Sequence, residues 1–111
     1  MKTISWNDFT KVDMRIGTVV NAEVFKEARN SAYILQIDFG ALGIKKTSAQ
    51  ITKVYQPKEL IGKQVIAVVN FPPKQIANIM SECLVMAGVG EEDNAVILQP
   101  ERTMPNGTKI G

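Results

Sequence analysis

The stretch that decides the fold is MRIGTVVNAEV, residues 14–24. Polar and apolar side chains alternate along it, which predicts one long β-strand. One face of this strand is expected to carry Ile16, Thr18, Val20, Ala22 and Val24, and the other Arg15, Gly17, Val19, Asn21 and Glu23. Gly17 lies inside the strand, where we expect the chain to bend sharply or to accept a close backbone. Long first strands that bend at a glycine are typical of small closed β-barrels.

Four further strands are predicted along the chain. They are expected at residues 33–39, 44–51, 64–71 and 82–87, with residues 95–99 pairing back onto the last of them. Along the second strand, Tyr33, Leu35, Ile37 and Phe39 alternate and are expected to point inward. Irregular structure is expected in two segments: a loop or a loose turn at residues 74–80, and an extended tail at residues 100–111.

Two short helical segments complete the pattern. Ser5 and Asp8 have the spacing of a capping box, so a short helical turn is expected through Thr10. Residues 52–60 predict a short helical connection, interrupted at Pro57, between the third and fourth strands. Five strands with a helix between the third and fourth form the OB arrangement. The chain is therefore expected to be an all-β protein, a five-stranded OB-fold barrel.

The composition is that of one small globular domain, which we expect to span residues 1–111. There is no histidine, and Cys83 is the one cysteine. His-based catalytic triads and the usual zinc sites therefore have no ligands or bases here. No glycine-rich phosphate loop of the common kinds is present. We accordingly predict a binding protein and not an enzyme, with no cofactor and no metal.

Membrane and export signals are missing from the sequence. The longest apolar run, residues 65–69, is far too short to cross a bilayer. The segment MKTISWNDFTKVD, residues 1–13, lacks the apolar stretch of a signal peptide. We expect a cytoplasmic protein that does not insert into membranes.

Charge is unevenly distributed, although the net charge is only +2. Residues 41–80 carry six lysines and one glutamate, a local balance of +5. Such a band is either a solvated face or the footprint of an anionic partner. OB barrels bind oligonucleotides on strands two and three. In this chain that face is expected to hold Lys45, Lys46, Ser48 and Gln50.

Four separated motifs resemble the tRNA-binding domain family. They are VDMRIGTV (12–19), KTSAQI (46–51), LIGKQVIAVVNFPPKQI (60–76) and SECLVMAG (81–88). The run VVNFPPKQI followed by SECLVM, together with the ending PNGTKIG (105–111), resembles the small export-related chaperones of that family. The resemblance covers nearly the whole chain.

The resemblance implies an OB barrel, a symmetric homodimer and two classes of ligand. Relatives of the export type are described as binding unfolded or precursor polypeptides and the translocase motor SecA, whereas the wider family binds tRNA by its shape. The tRNA-binding members are usually more basic after the asparagine, of the type NLKPRK, where this chain has NFPPKQ (70–75). This difference favours peptide binding.

The resemblance and the chemistry of the side chains together nominate three sets of site residues. The candidates for nucleic-acid binding are Lys45, Lys46, Ser48, Gln50, Asn70, Lys74 and Ser81. The candidates for peptide binding are Phe71, Ile76, Ile79, Met80 and Met86. The candidates for the dimer interface are Trp6, Phe9, Ile97, Leu98, Met104, Pro105 and Ile110, which are apolar residues near the two ends of the chain.

Two of these residues have an alternative structural role. Asn70 could cap the end of a strand instead of contacting a ligand. Met86 lies inside a predicted strand and could be core filler, and Cys83 is expected to be a buried, inert thiol. Two functions remain open. The first is a homodimeric chaperone for export-bound polypeptides, and the second is a structure-specific tRNA-binding protein that uses the basic OB face.

Overall fold

The long first strand organises a mainly β structure. All residues, 1–111, are described in the computed structural model. The helices are α1 (Trp6–Thr10) and α2 (Pro57–Leu60), with short 3-10 turns at Gly40–Leu42 and Glu91–Asp93. The strands are β1 (Met14–Val24), β2 (Tyr33–Asp38), β3 (Ile44–Ala49), β4 (Gln64–Val68), β5 (Lys74–Ile76), β6 (Ile79–Ser81), β7 (Leu84–Val85), β8 (Ala87–Val89) and β9 (Ala95–Ile97).

Five strands form one antiparallel sheet in the order β3-β2-β1-β4-β7, which curls into a nearly closed barrel. α2 lies between β3 and β4 in the chain, so the predicted OB arrangement is confirmed. Two-stranded pairs, β5 with β6 and β8 with β9, extend from this sheet. Neither helix is long and apolar enough to cross a membrane.

β1 serves three neighbours along its length. Its second half pairs with β2 and its first half with β4. The first half of β1 does not pair with β2 on its other edge, and the C-terminal tail pairs with it there. The Ile16 N–H donates to the Thr108 carbonyl at 2.9 Å, and the Gly107 N–H donates to the Ile16 carbonyl at 2.7 Å. The last residues of the tail therefore lie along β1, which satisfies their backbone groups. The predicted extended tail is only partly found, because the chain bends at 101–102 and turns at 106–107.

A bulge in β1 changes which side chains face the core. Val19 pairs with Ile37, but Asn21 pairs with Gln36, so Val20 is an extra residue on β1. The bulge shifts the alternation: Val19 and Ala22 are both buried although they are three residues apart, and Val20 and Asn21 between them are both exposed. The predicted division of β1 into two continuous faces is therefore wrong beyond Val19, because strict alternation cannot anticipate an inserted residue.

Gly17 permits the close approach of β1 to the core. A Cβ at this position would lie 2.6 Å from Cγ2 of Ile37 and 2.7 Å from Cδ1 of Phe39. Both neighbours are fully buried. The close neighbours of Gly17 are therefore core side chains, and not the close backbone that the sequence led us to expect.

The inward face of β2 is also confirmed. Tyr33, Leu35, Ile37 and Phe39 are all buried. They belong to the hydrophobic core together with Val19, Ala22, Ala49, Ile51, Leu60, Val65, Ala67, Cys83, Ala95 and Ile97. The hydroxyl of Tyr33 donates to the Tyr55 carbonyl at 2.6 Å, so this ring closes the end of the core with its polar atom satisfied.

Two predicted segments are corrected. In place of the loop or loose turn expected at residues 74–80, Lys74–Ile76 and Ile79–Ser81 form a hairpin whose turn places Ala77 at φ 49°. The fifth strand is divided at Met86, whose N–H donates to the Ile66 carbonyl and whose carbonyl accepts from the Leu98 N–H. The chain changes partner from β4 to β9 at this residue, which ends one short strand and begins the next.

The N-terminal capping box is confirmed. The Asp8 N–H donates to Oγ of Ser5 at 3.1 Å, and the Ser5 N–H donates to Oδ2 of Asp8 at 3.1 Å. The rings of Trp6 and Phe9 lie 5.3 Å apart on one face of α1. The connection between β3 and β4 is helical only at Pro57–Leu60, where Gln56 and Glu59 form a second capping box.

Candidate functional site

The barrel closes between β3 and the segment just before β7. The Glu82 N–H donates to the Lys46 carbonyl at 2.8 Å, and Oε1 of Glu82 accepts from the Lys46 N–H at 3.0 Å. Oγ1 of Thr47 donates to the Cys83 carbonyl at 2.7 Å. Ser81 adds its hydroxyl, which lies 3.0 Å from that of Thr47. This polar clasp joins the two strand edges at one end only.

Beyond the clasp, the two edges separate and leave a cleft of about 840 Å³. Ten of its seventeen lining residues are hydrophobic, which is typical of a ligand site. The lining consists of Ser48, Ala49, Gln50, Ile51, Phe71, Pro72, Pro73, Lys74, Gln75, Ile76, Ser81, Cys83, Leu84, Val85, Ala87, Val89 and Ala95. We call this space the seam cleft.

Large apolar side chains in the seam cleft are unusually open to solvent. Phe71 is 55% exposed, Leu84 50% and Val89 74%. Pro72 and Pro73 follow Phe71 and restrict the backbone on this side, because each ring fixes φ. An apolar surface of this kind, held open by the fold, gains free energy when an apolar partner covers it.

The electrostatics of the seam cleft are simple. Lys74 is its one charged lining residue. Cys83 also lines it, and burial raises the pKa of this thiol to about 11, partly offset by the Thr47 hydrogen bond. The thiol is therefore protonated and unreactive at neutral pH, in line with the predicted inert role.

A smaller polar cleft of about 440 Å³ adjoins the seam cleft and shares Gln50, Val89 and Ala95 with it. Its remaining lining residues are Asn30, Ser31, Thr52, Lys53 and Asp93. The ammonium group of Lys53 donates to the Glu92 carbonyl, so this lysine is engaged with the turn before β9. The seam cleft is therefore bordered by polar side chains at the end where the two clefts meet.

The predicted nucleic-acid residues divide into three locations. Ser48, Gln50, Lys74 and Ser81 line the seam cleft. Lys45 and Lys46 lie on β3 outside its lining, where both side chains are half-buried. Asn70 is absent from the lining and is hydrogen-bonded to the N-terminal segment instead.

Asn70 joins the barrel to the chain before β1. Its Oδ1 accepts from the Asp13 N–H at 3.0 Å, and its Nδ2 donates to the Lys11 carbonyl at 2.7 Å. Both polar ends of the amide are therefore used within the protein. Of the two roles considered for Asn70, these contacts correspond to the capping one.

The predicted peptide-binding residues are also divided. Phe71 and Ile76 line the seam cleft, whereas Ile79, Met80 and Met86 do not. Met80 is exposed on the β5–β6 hairpin, and Met86 is half-buried where the chain passes from β7 to β8. Sequence reasoning missed Leu84, Val85 and Val89, because a short apolar run gives no sign of which residues border an opening.

The predicted interface residues are mostly accessible. Trp6, Leu98, Met104 and Pro105 are exposed, and Phe9 and Ile110 are half-buried. Ile97 is only 7% exposed and belongs to the core, so its assignment to a surface is wrong. β9 alternates, with Ala95 and Ile97 inward and Val96 outward.

These features define a small OB-type binding domain. The chain belongs to the putative tRNA binding domain family, whose model matches residues 14–109. Within that family it is similar to the CsaA chaperones. It is 56% identical to chaperone CsaA from Bacillus anthracis, with a TM-score of 0.95 over 99% of this chain and 100% of that one. The CsaA chaperone protein from Picrophilus torridus is 49% identical, with a TM-score of 0.91 over 98% of this chain and 100% of that one.

The chain also resembles one part of a larger enzyme. It is 39% identical over 107 residues to the methionine–tRNA ligase of Methanococcoides burtonii. That match covers 96% of this chain but only 16% of the ligase. The family is thus one of binding domains, and the similarity to the ligase is confined to a small segment.

Proposed function

We propose that this protein is a chaperone that holds unfolded or precursor polypeptides in the seam cleft. The observation that carries the proposal is the combination of a large apolar opening with a single charged lining residue, Lys74. Unfolded chains expose apolar side chains that folded proteins bury, and such side chains match this surface. The similarity to two CsaA chaperones over almost the whole chain supports the same function.

The proposal extends to assembly and cellular role. The domain, residues 1–111, would act as a symmetric homodimer in the cytoplasm and deliver export-bound chains to the translocase motor SecA. The exposed Trp6, Leu98, Met104 and Pro105 support dimerisation, because apolar side chains near the chain ends favour self-association. Light scattering at micromolar concentration should give twice the 12.2 kDa chain mass, and a particle of 12.2 kDa would contradict the dimer.

A second candidate function is tRNA binding. The family model favours it, as do Ser48, Gln50, Lys74 and Ser81, which bring polar and basic groups to one opening. The β3 lysines could neutralise phosphates beside that opening. Against this role, Glu82 places a carboxylate against the Lys46 backbone, which reduces the local positive charge.

Salt dependence separates the two functions. The purified protein would be titrated with an unfolded precursor peptide and with bulk tRNA, each at two salt concentrations. Peptide binding driven by apolar burial should be nearly independent of salt and should have a negative heat-capacity change. Binding of tRNA should be weak and should fall with salt, because phosphate contacts release counterions. Tight tRNA binding at physiological salt without peptide binding would reverse the order of the two proposals.

A further inference from the structure

The two edges of the seam cleft carry backbone groups that the barrel does not pair. On β3, the N–H groups of Lys46 and Ser48 point toward the clasp, where they meet Glu82 and Ser81. Antiparallel pairing makes alternate residues point the same way, so Gln50 faces the cleft. Neither its N–H nor its carbonyl has a hydrogen-bond partner in the protein.

The opposite edge of the cleft, formed by residues 84–89, also carries backbone N–H and carbonyl groups that the barrel does not pair. The Met86 N–H donates to the Ile66 carbonyl, and the Gly90 N–H donates to the Asn94 carbonyl. Even-numbered residues of this edge therefore face β4 and β9. By alternation, Val85, Ala87 and Val89 turn their N–H and carbonyl groups toward the seam cleft, which all three line.

We propose that the seam cleft binds an extended polypeptide segment as an added β-strand, paired with the backbone of Val85, Ala87 and Val89. This inference rests on the proposed chaperone function and specifies how the ligand is recognised. An unpaired strand edge is a template for another chain, and strand addition is a common mode of peptide recognition. Gln50 lies on the other side of the cleft and can bond the segment's second edge.

The mode of binding determines what the site selects. Backbone groups are the same in every polypeptide, so pairing with residues 85–89 is independent of sequence. Alternate side chains of the added strand would lie against Phe71, Ile76 and Leu84 and need only be apolar. A single-stranded nucleic acid fits less well, because its phosphates would meet only Lys74 and its bases only one aromatic ring, Phe71.

The test is a scan of backbone N-methyl groups along an unfolded apolar peptide of about nine residues, within the usual length of a strand. N-methylation removes one donor and leaves the side chain unchanged. Each methyl group on an N–H that faces residues 85–89 should weaken binding about tenfold, because a partner carbonyl loses its hydrogen bond. The losses should alternate along the peptide, whereas exchanges between Leu, Ile and Phe should change the affinity little.

A variant of the protein tests the same contact from the other side. Val89→Pro removes the N–H that faces the cleft, and Val89→Ala is the matched control that keeps it. The proline variant should bind the peptide about tenfold more weakly than the alanine variant, because both lose the valine side chain that lines the cleft and only proline also loses the N–H. The peptide scan uses the unmodified protein and does not depend on how the proline variant folds.

The outcomes distinguish this inference from the function on which it rests. If the unmodified peptide binds but N-methylation has no effect at any position, strand addition is wrong and the chaperone function stands. If the unmodified peptide does not bind, both fail. Binding of a single-stranded oligoribonucleotide in place of the peptide would also overturn the inference.

Discussion

The hydroxyl of Thr47 donates to the carbonyl of Cys83 at 2.7 Å, and this buried contact holds the two edges of the barrel together beside the seam cleft. Thr47 is 1% exposed, and the same hydroxyl also contacts that of Ser81. Because no water reaches this position, the Cys83 carbonyl depends on Thr47 for its partner. The clasp therefore sets where the barrel is closed and where the opening begins.

Thr47→Val should destabilise the protein by about 2 kcal/mol, since it keeps the shape but leaves the Cys83 carbonyl without a donor. Urea unfolding at one fixed protein concentration measures this loss. Thr108→Val is the matched control, because Thr108 bonds the nearby Pro105 carbonyl at a solvent-exposed position. The control should lose less than about 1 kcal/mol. Equal losses of unfolding free energy in the two variants would show that the Thr47–Cys83 hydrogen bond stabilises the protein no more than an exposed one does.

Gly17→Ala should cost about 2 kcal/mol or more, because its methyl group would overlap the buried Ile37 and Phe39 side chains. Gly88→Ala serves as the control within another strand. The nearest atom to a Cβ there is the Val96 carbonyl oxygen at 3.9 Å, so the methyl group has room. Thermal or urea unfolding should show a large loss for Gly17→Ala and almost none for Gly88→Ala. A tolerated alanine at position 17 would contradict the described packing of β1.

Asp13→Asn should destabilise the protein at pH 7 and have less effect in acid. Nε of Arg15 donates to Oδ1 of Asp13 at 2.6 Å, and this hydrogen bond lowers the pKa of the carboxyl group. A lowered pKa in the folded state means that the stability contribution is present above the ordinary aspartate pKa of about 3.9 and is lost as pH falls below it. Urea unfolding at pH 7 and near pH 2.5 should show the difference between the two proteins narrowing in acid. If the difference in unfolding free energy between Asp13→Asn and the unmodified protein were the same at both pH values, the ion pair would be excluded as its source.

Cys83 should react very slowly with thiol reagents in the native protein. Its pKa of about 11 lowers the thiolate fraction at pH 8 on the order of a hundredfold relative to an ordinary cysteine, and burial slows access further. A colorimetric disulfide reagent should therefore label the native protein slowly and the urea-unfolded protein at once. Rapid labelling of the native protein would mean that the thiol is open to the cleft.

Local sequence patterns predicted those parts of the fold that depend on neighbouring residues. The capping box of Ser5 and Asp8 and the inward face of β2 are examples, because each is set by spacing along the chain. The bulge at Val20 was missed because it is defined by the partner strand. The β5–β6 hairpin was missed because its turn uses Ala77 at positive φ, where a glycine or asparagine would have signalled it.

The candidate site was predicted only in part for the same reason. Phe71, Lys74 and Ser48 were identified from motifs, and the structure brings them to one opening. The opposite wall, including Val85 and Val89, joins them through the closure of the barrel. The position of this wall opposite Phe71, Lys74 and Ser48 depends on which strand edges meet when the barrel closes, and the spacing of residues along the chain does not predict that.

The central claim is that polypeptides bind in the seam cleft, and the direct measurement compares Phe71→Ala with Met80→Ala in peptide titrations. The two side chains are similarly exposed, at 55% and 48%, but only Phe71 lines the cleft. Phe71→Ala should weaken binding of an unfolded precursor peptide roughly tenfold to a hundredfold, which corresponds to about 1.5–3 kcal/mol of lost apolar burial. Met80→Ala should leave the affinity within about twofold, since a surface substitution away from the site changes little. An unchanged affinity in Phe71→Ala, or an equal loss in both variants, would contradict binding in the cleft.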